Sequence, residues 1–139
     1  MRRLLGYSLV QAAIPTTNLF LKNVGEPFDL RRAEYSLLVL VDANRDVGPK
    51  QLARALGVSM PYLTVTLDRL EARGLLGRSR SEVDRRSQHV RLTRKGADLV
   101  KRAEAVAMSM EKELLSHLTP GEGALLFELL QRVASQRRA

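Results

Sequence analysis

The chain has 139 residues, a formal net charge of +8 and no cysteine. That length predicts one domain with a real core, and the missing thiols exclude disulfides, thiolate metal sites and thiol redox switches. The basic balance predicts a polyanionic partner, which composition alone leaves open between nucleic acid, an anionic membrane surface and a ribosome. No apolar run reaches the roughly 18 residues of a membrane span.

The Met1-Arg2-Arg3-Leu4-Leu5 start resembles the beginning of a signal segment. Polar Ser8, Gln11, Thr16, Thr17 and Asn18 interrupt it, so a cytoplasmic protein is expected. Residues 4–22 predict a helix, with apolar residues at 4, 5, 9, 10, 13, 14, 20 and 21. Pro15 removes a backbone donor inside it and predicts a kink or a break. Gly25 and Pro27 punctuate residues 23–27 as a loop. Asp29 is a candidate cap for a helix over 30–43 whose Tyr35, Leu37, Leu38 and Val41 make it strongly apolar and therefore central. Residues 44–48 form a polar turn.

The stretch 48–93 carries the most information. Pro49 suits a first helical position, because no intrahelical N–H is needed there, and Gly57 ends that helix as a residue free to take positive φ. Ser59 offers an N-cap oxygen to a second helix. Leu63, Leu67 and Leu70 then recur at i, i+4, i+7 as one buried stripe, and Gly74 closes the helix. Its outward side carries Pro61, Val65, Asp68, Arg69 and Ala72, with Thr64 nearby. Two short helices joined by a glycine-containing turn have helix-turn-helix spacing. Residues 76–80 and 88–92 predict a paired ribbon, with Val90 and Leu92 inward and His89 and Arg91 outward, around the polar tip SEVDRRS. Between residues 78 and 102 stand nine Lys/Arg against three acids, a phosphate-facing footprint. A helical hairpin buried in a core would share the two helices but not this ribbon.

Thr93 caps a long helix over 94–117, with Ala97, Val100, Ala103, Val106, Met110, Leu114 and Leu118 in steps of three and four. Its 24 residues would span about 36 Å, beyond one small winged unit. Thr119-Pro120-Gly121-Glu122 is a capping box with proline at the first helical position. The last helix shows Leu125, Leu126, Leu129, Leu130 and Val133. Apolar helices at both chain ends predict a shared homodimer bundle, the alternative being an intramolecular bundle in a monomer. The expected architecture is mainly α with a small β-ribbon. Residues 29–93 form the winged DNA-binding region, and 1–28 with 94–139 the dimerisation region. His89 and His117 stand in no metal-ligand spacing. There is no glycine-rich phosphate loop and no nucleophile elbow, so neither an enzyme nor a metal site is expected.

The turn LARALGVS, the run LDRLEARGLL, the DRR tip followed by VRLTRKG, and the long helix after it together resemble the MarR family of dimeric transcription factors. The resemblance spans residues 4–132. It implies a dimer of winged helices acting as a repressor on a palindromic double-stranded operator, released by a small ligand or by oxidation; the lack of cysteine argues against oxidation. It also implies a second helix lying in the major groove, with Ser59, Met60, Pro61, Tyr62, Thr64, Val65, Arg69 and Arg73 as candidate DNA-binding residues. The family's small polar pair falls on Pro61 and Tyr62, and a frequently basic position on Val65. These departures favour apolar contact with thymine methyls. Thr64 keeps a hydroxyl for a phosphate or base, and Arg69 and Arg73 either reach phosphates or brace the wing. The Asp-x-Arg wing motif falls on Asp84 and Arg86. The resemblance sends Arg86 into the minor groove, where a narrow A·T-rich tract favours a guanidinium. Asp84 shapes the tip, and Arg85 and His89 are further wing candidates. Tyr7, Gln11, Arg32 and Tyr35 are the candidate lining of an effector site suited to an aromatic or acyl carboxylate, with no other cofactor expected. A winged protein-interaction module and an effector-independent architectural DNA binder are the alternatives.

Overall fold

The computed structural model describes residues 3–80 and 87–137. In chain order it contains α1 (Leu5–Phe20), a π-helical turn (Leu21–Gly25), α2 (Glu26–Phe28), α3 (Arg32–Ala43), α4 (Pro49–Leu56) and α5 (Met60–Ala72). The strands β1 (Leu76–Arg80) and β2 (Gln88–Leu92) and the helices α6 (Arg94–Leu114) and α7 (Pro120–Ala134) follow.

The middle of the chain folds as its local signals predict. Gly57 and Gly74 take positive φ at 69° and 72°. The Ser59 hydroxyl accepts from the Tyr62 N–H at 3.3 Å, and Thr93 and Thr119 cap α6 and α7 in the same way at 3.0 and 3.2 Å. The antiparallel ribbon pairs Leu76 with Leu92 and Arg80 with Gln88. Val47 adds an isolated bridge to Val90.

The N-terminal third departs from expectation in three places. Of the kink or break expected at Pro15, the break does not occur, and α1 runs on to Phe20. Gln11, whose carbonyl loses its partner, is exposed, so water can replace the missing donor. Residues 23–27 are not a loop, because the π turn and α2 carry the helical path on to Phe28. Gly25 is needed for close approach: a Cβ there would meet the Leu30 carbonyl at 3.2 Å and Leu21 at 3.3 Å. Pro27 falls in the first turn of α2, where it costs no hydrogen bond. Asp29 does not cap the next helix. It takes the left-handed conformation, φ 50°, that closes α2, and α3 starts only at Arg32, with the Glu34 carboxylate accepting the Arg31 N–H at 3.2 Å. At its far end α6 stops at Leu114, short of His117.

Two apolar clusters hold these elements. The larger joins Leu37, Leu38, Leu52, Leu63, Leu67, Leu70, Leu75, Leu76 and Val90 to Leu99 and Val100 of α6. The winged unit therefore includes the first two turns of the long helix. The smaller joins Phe20, Val24, Ala103 and Met110, and Phe28 and Tyr35 pack against both. The chain ends lie outside these clusters. Gly123 is the only buried residue of α7, whose tail is tied back by Arg137 donating to the Ala55 carbonyl at 2.9 Å.

Candidate nucleic-acid interface

Burial of Leu63, Thr66, Leu67 and Leu70 turns the opposite side of α5 outward. That side presents Pro61, Tyr62, Thr64 and Val65, with Val65 68% exposed. Val65 and Tyr62 thus offer apolar surface on a helix whose start is fixed by its N-cap. Thr64 spends its hydroxyl proton on the Met60 carbonyl at 3.0 Å, which leaves its oxygen lone pairs and its methyl outward. Met60 and Ser59 are exposed at the start of the helix.

The ribbon is braced against α5 and the turn before α4. Arg78 on β1 bonds to Asp68 and to Glu71, the latter at 2.8 Å. The bond to Asp68 foremost raises the pKa of this guanidinium further above its ordinary range, although burial opposes it. Asp68 thus serves the wing rather than a groove. His89 and Arg91 on β2 both reach the Asp46 carboxylate, at 3.3 and 3.2 Å. A groove of about 520 Å³ between Asp46, Lys50, Met60, Gln88 and His89 separates the start of α4, the start of α5 and the base of the wing. Asp46 and Lys50 were not among the residues the sequence singled out. The charge in the turn before α4 was visible there, but its proximity to β2 was not. Asp84, Arg85 and Arg86 lie outside the described residues.

Arg69 and Arg73 point to the other side. Arg69 approaches the Glu34 carboxylate at 3.3 Å and Asp29 at 3.8 Å. Arg73 donates to the carbonyls of Asp29 and Phe28, the second at 3.1 Å. Both brace the α2–α3 turn rather than the wing.

The effector candidates divide. Arg32 and Tyr35 line a cavity of about 530 Å³ with Thr16, Phe20, Ser36, Glu104, Met108 and Glu111. Tyr7 and Gln11 do not line it and sit on the exposed first half of α1. The Phe20 and Tyr35 rings, 5.7 Å apart and tilted by 51°, form its aromatic wall. Arg32 donates to the Thr17 hydroxyl at 3.0 Å. Burial first, then Glu104 and Glu111, raise the pKa of the Tyr35 phenol, so it stays a neutral donor. Phe20, Glu104 and Glu111 are lining residues that sequence reasoning missed; the seven-residue spacing of the two glutamates on one helix was the available signal. Among the described residues, no group of three or more His, Asp or Glu is arranged to hold a metal, and no helix is long and apolar enough to cross a membrane.

A helix-turn-helix carrying a β-ribbon wing defines the class. A family model described as the MarR family matches residues 30–88. The chain is similar to the transcriptional repressor CouR, solved bound to a 23-mer DNA duplex: identity is 36%, 96% of this chain and 94% of that one are covered, and the TM-score is 0.87. A mutant MarR from E. coli complexed with operator DNA is 28% identical, covering 93% and 92%, with a TM-score of 0.83. The PcaV transcriptional regulator from Streptomyces coelicolor, in complex with its natural ligand, shares the fold at 24% identity, 97% and 94% coverage and a TM-score of 0.86. The chain belongs to the MarR family.

Proposed function

We propose that this chain is a homodimeric, sequence-specific DNA-binding repressor acting in the cytoplasm, not an enzyme. Filling of the cavity at Arg32 and Tyr35 by a small ligand releases it from DNA. The observation that carries the reading is the exposed first half of α5, with Pro61, Tyr62 and Val65 outward, in a chain 36% identical to a DNA-bound repressor. In this reading residues 29–93 bind DNA, helped by the first turns of α6, while 1–28 and the rest of 94–139 pair two copies. Ser59, Met60, Pro61, Tyr62, Thr64 and Val65 face the major groove. Asp84, Arg85, Arg86 and His89 form the wing, with Arg86 in the minor groove. Arg32 offers its charge to an aromatic or acyl carboxylate at the cavity mouth.

Binding-site selection from random duplex DNA tests it. The expected product is an imperfect palindrome with half-sites about one helical turn apart, A·T-rich where the wings land. Replacing the contacted thymines by uracil removes only a methyl, and should cost about 1 kcal/mol per site. Val65→Arg should shift the facing position toward guanine. Selection that enriches no sequence would instead favour an architectural binder, and uracil substitution without effect anywhere in the half-site would remove the apolar readout.

A further inference from the structure

We propose that Glu34 is a positioning residue for the recognition helix, and that Arg69 and Arg73 act on DNA binding through it rather than by touching DNA. Glu34 is 2% exposed and is the only buried acidic residue among those described. One carboxylate oxygen takes the Arg31 N–H. The other is buried with no hydrogen-bond partner and faces two cations, Arg69 Nε at 3.3 Å and the Arg73 guanidinium at 4.0 Å. Arg69 comes from the last turn of α5 and Arg73 is the residue that caps it, four positions on. Arg73 also donates to the carbonyls of Phe28 and Asp29, the two that flank the left-handed α-carbon of Asp29.

The pair is thus a charge clamp across α3 and α5, seated on the turn in which Asp29 takes the left-handed conformation. Apolar packing of Leu63, Leu67 and Leu70 tolerates small rotations and slides of a helix. Two guanidiniums converging on one buried carboxylate oxygen tolerate them poorly, because a shift leaves that charge only the exposed Arg31 guanidinium, 3.8 Å from the other oxygen. Such ion pairs contribute little to stability against an apolar replacement, and their best-attested use is to fix one arrangement among several. Here the arrangement fixed is the rotation of α5 about its axis, which decides how Pro61, Tyr62 and Val65 meet the base edges. The side chains flanking Glu34 complete the geometry: Arg32 and Tyr35 line the cavity, so the first turn of α3 holds the recognition helix and touches the effector site.

The inference rests on the reading of α5 as the groove-binding helix, and the test separates the two. The full-length protein and its Glu34→Gln, Arg69→Gln and Arg73→Gln variants are titrated with the selected duplex and with a scrambled duplex over a range of salt. Glu34→Gln keeps the acceptor for the Arg31 N–H and removes only the charge. The expected result is a loss of about tenfold or more for the selected duplex in all three variants, with little change for the scrambled one. The salt slope should stay at the wild-type value, because no phosphate contact is lost. Glu34→Gln combined with Arg69→Gln should cost no more than either alone. A slope that falls by about 1 in Arg69→Gln or Arg73→Gln would make those side chains phosphate ligands and overturn the proposal. So would a Glu34→Gln protein that discriminates between duplexes as the wild type does. A wild type that prefers no duplex defeats the functional reading instead. Should Glu34→Gln fail to fold, the half-exposed Arg69 carries the same slope measurement.

Discussion

Replacing Leu129 by glutamate is expected to turn the protein into a monomer and abolish operator binding. Helix α7 leaves Leu125, Leu126, Leu129, Leu130 and Val133 exposed along one stripe, and α1 leaves Leu5 with Leu9 and Val10 with Ile14 exposed along two others on different sides of the helix. A helix of 15 residues with one buried glycine is marginal in water without a partner surface. Contiguous apolar stripes of this extent mark an interface. In an isologous dimer each substitution occurs twice. A carboxylate without a partner in each half of the seam then costs several kcal/mol per dimer. Light scattering at micromolar concentration should give twice the 15.6 kDa chain mass for the wild type and the single mass for Leu129→Glu. Val133→Glu should behave alike. DNA binding falls with the dimer because each half-site alone is weak. A wild-type mass of one chain, or a Leu129→Glu dimer, would refute the shared bundle.

The second large effect concerns one methyl group. Gly96 lies in the first turn of α6, and a Cβ there would overlap the Leu75 carbonyl and its carbon. That carbonyl also accepts the Thr93 N–H at 3.1 Å, so the cap of α6 and the turn between α5 and β1 meet backbone to backbone. An added methyl must lift α6 from this contact and disturb Leu75, Leu99 and Val100 together. Gly96→Ala is expected to destabilise by about 3 kcal/mol, lowering Tm by about 10 °C. The sign is the sharp part, because alanine for glycine within a helix ordinarily stabilises by about 0.5–1 kcal/mol. Gly121 in the first turn of α7, where a Cβ would meet nothing within 4 Å, is the matched control. Its alanine variant should melt at or above the wild type. A Gly96→Ala protein that does the same would show that α6 and Leu75 are not in this contact.

What was legible in the sequence was what short-range chemistry decides. Ser59, Thr93 and Thr119 announced three helix starts, Gly57 and Gly74 two left-handed turns, and alternation around Val90 gave both strands their observed limits. Gly25 and Pro27 read as the punctuation of a loop, and Pro15 predicts a kink or a break. Each sits where the helix loses nothing, through an exposed carbonyl, a tight contact or a first turn. Arg69 and Arg73 show the other limit. Their spacing from the buried stripe allowed an outward or a flanking position, and the decision lay with Glu34, far away in sequence. Of the effector candidates, Arg32 and Tyr35 were placed by an apolar helix whose face was readable. Tyr7 and Gln11 depended on where α1 runs after leaving the core, which no local pattern fixes.

The π turn at Leu21–Gly25 decides which changes of chain length the junction of α1 with the rest of the molecule can absorb. Such a turn holds one residue more than α-helical winding would. Removing a single codon there would restore regular winding and keep the phase of α1, whereas a codon removed from Leu5–Phe20 would rotate everything upstream by about 100° relative to α2 and α3. The helix content in circular dichroism would barely change in either variant. In the second, however, the exposed Leu5 and Leu9 would face a different direction from α7, and the proposed pairing of two copies would be lost. The phase of α1 against the rest of the molecule is therefore buffered at one place, by a turn of five residues.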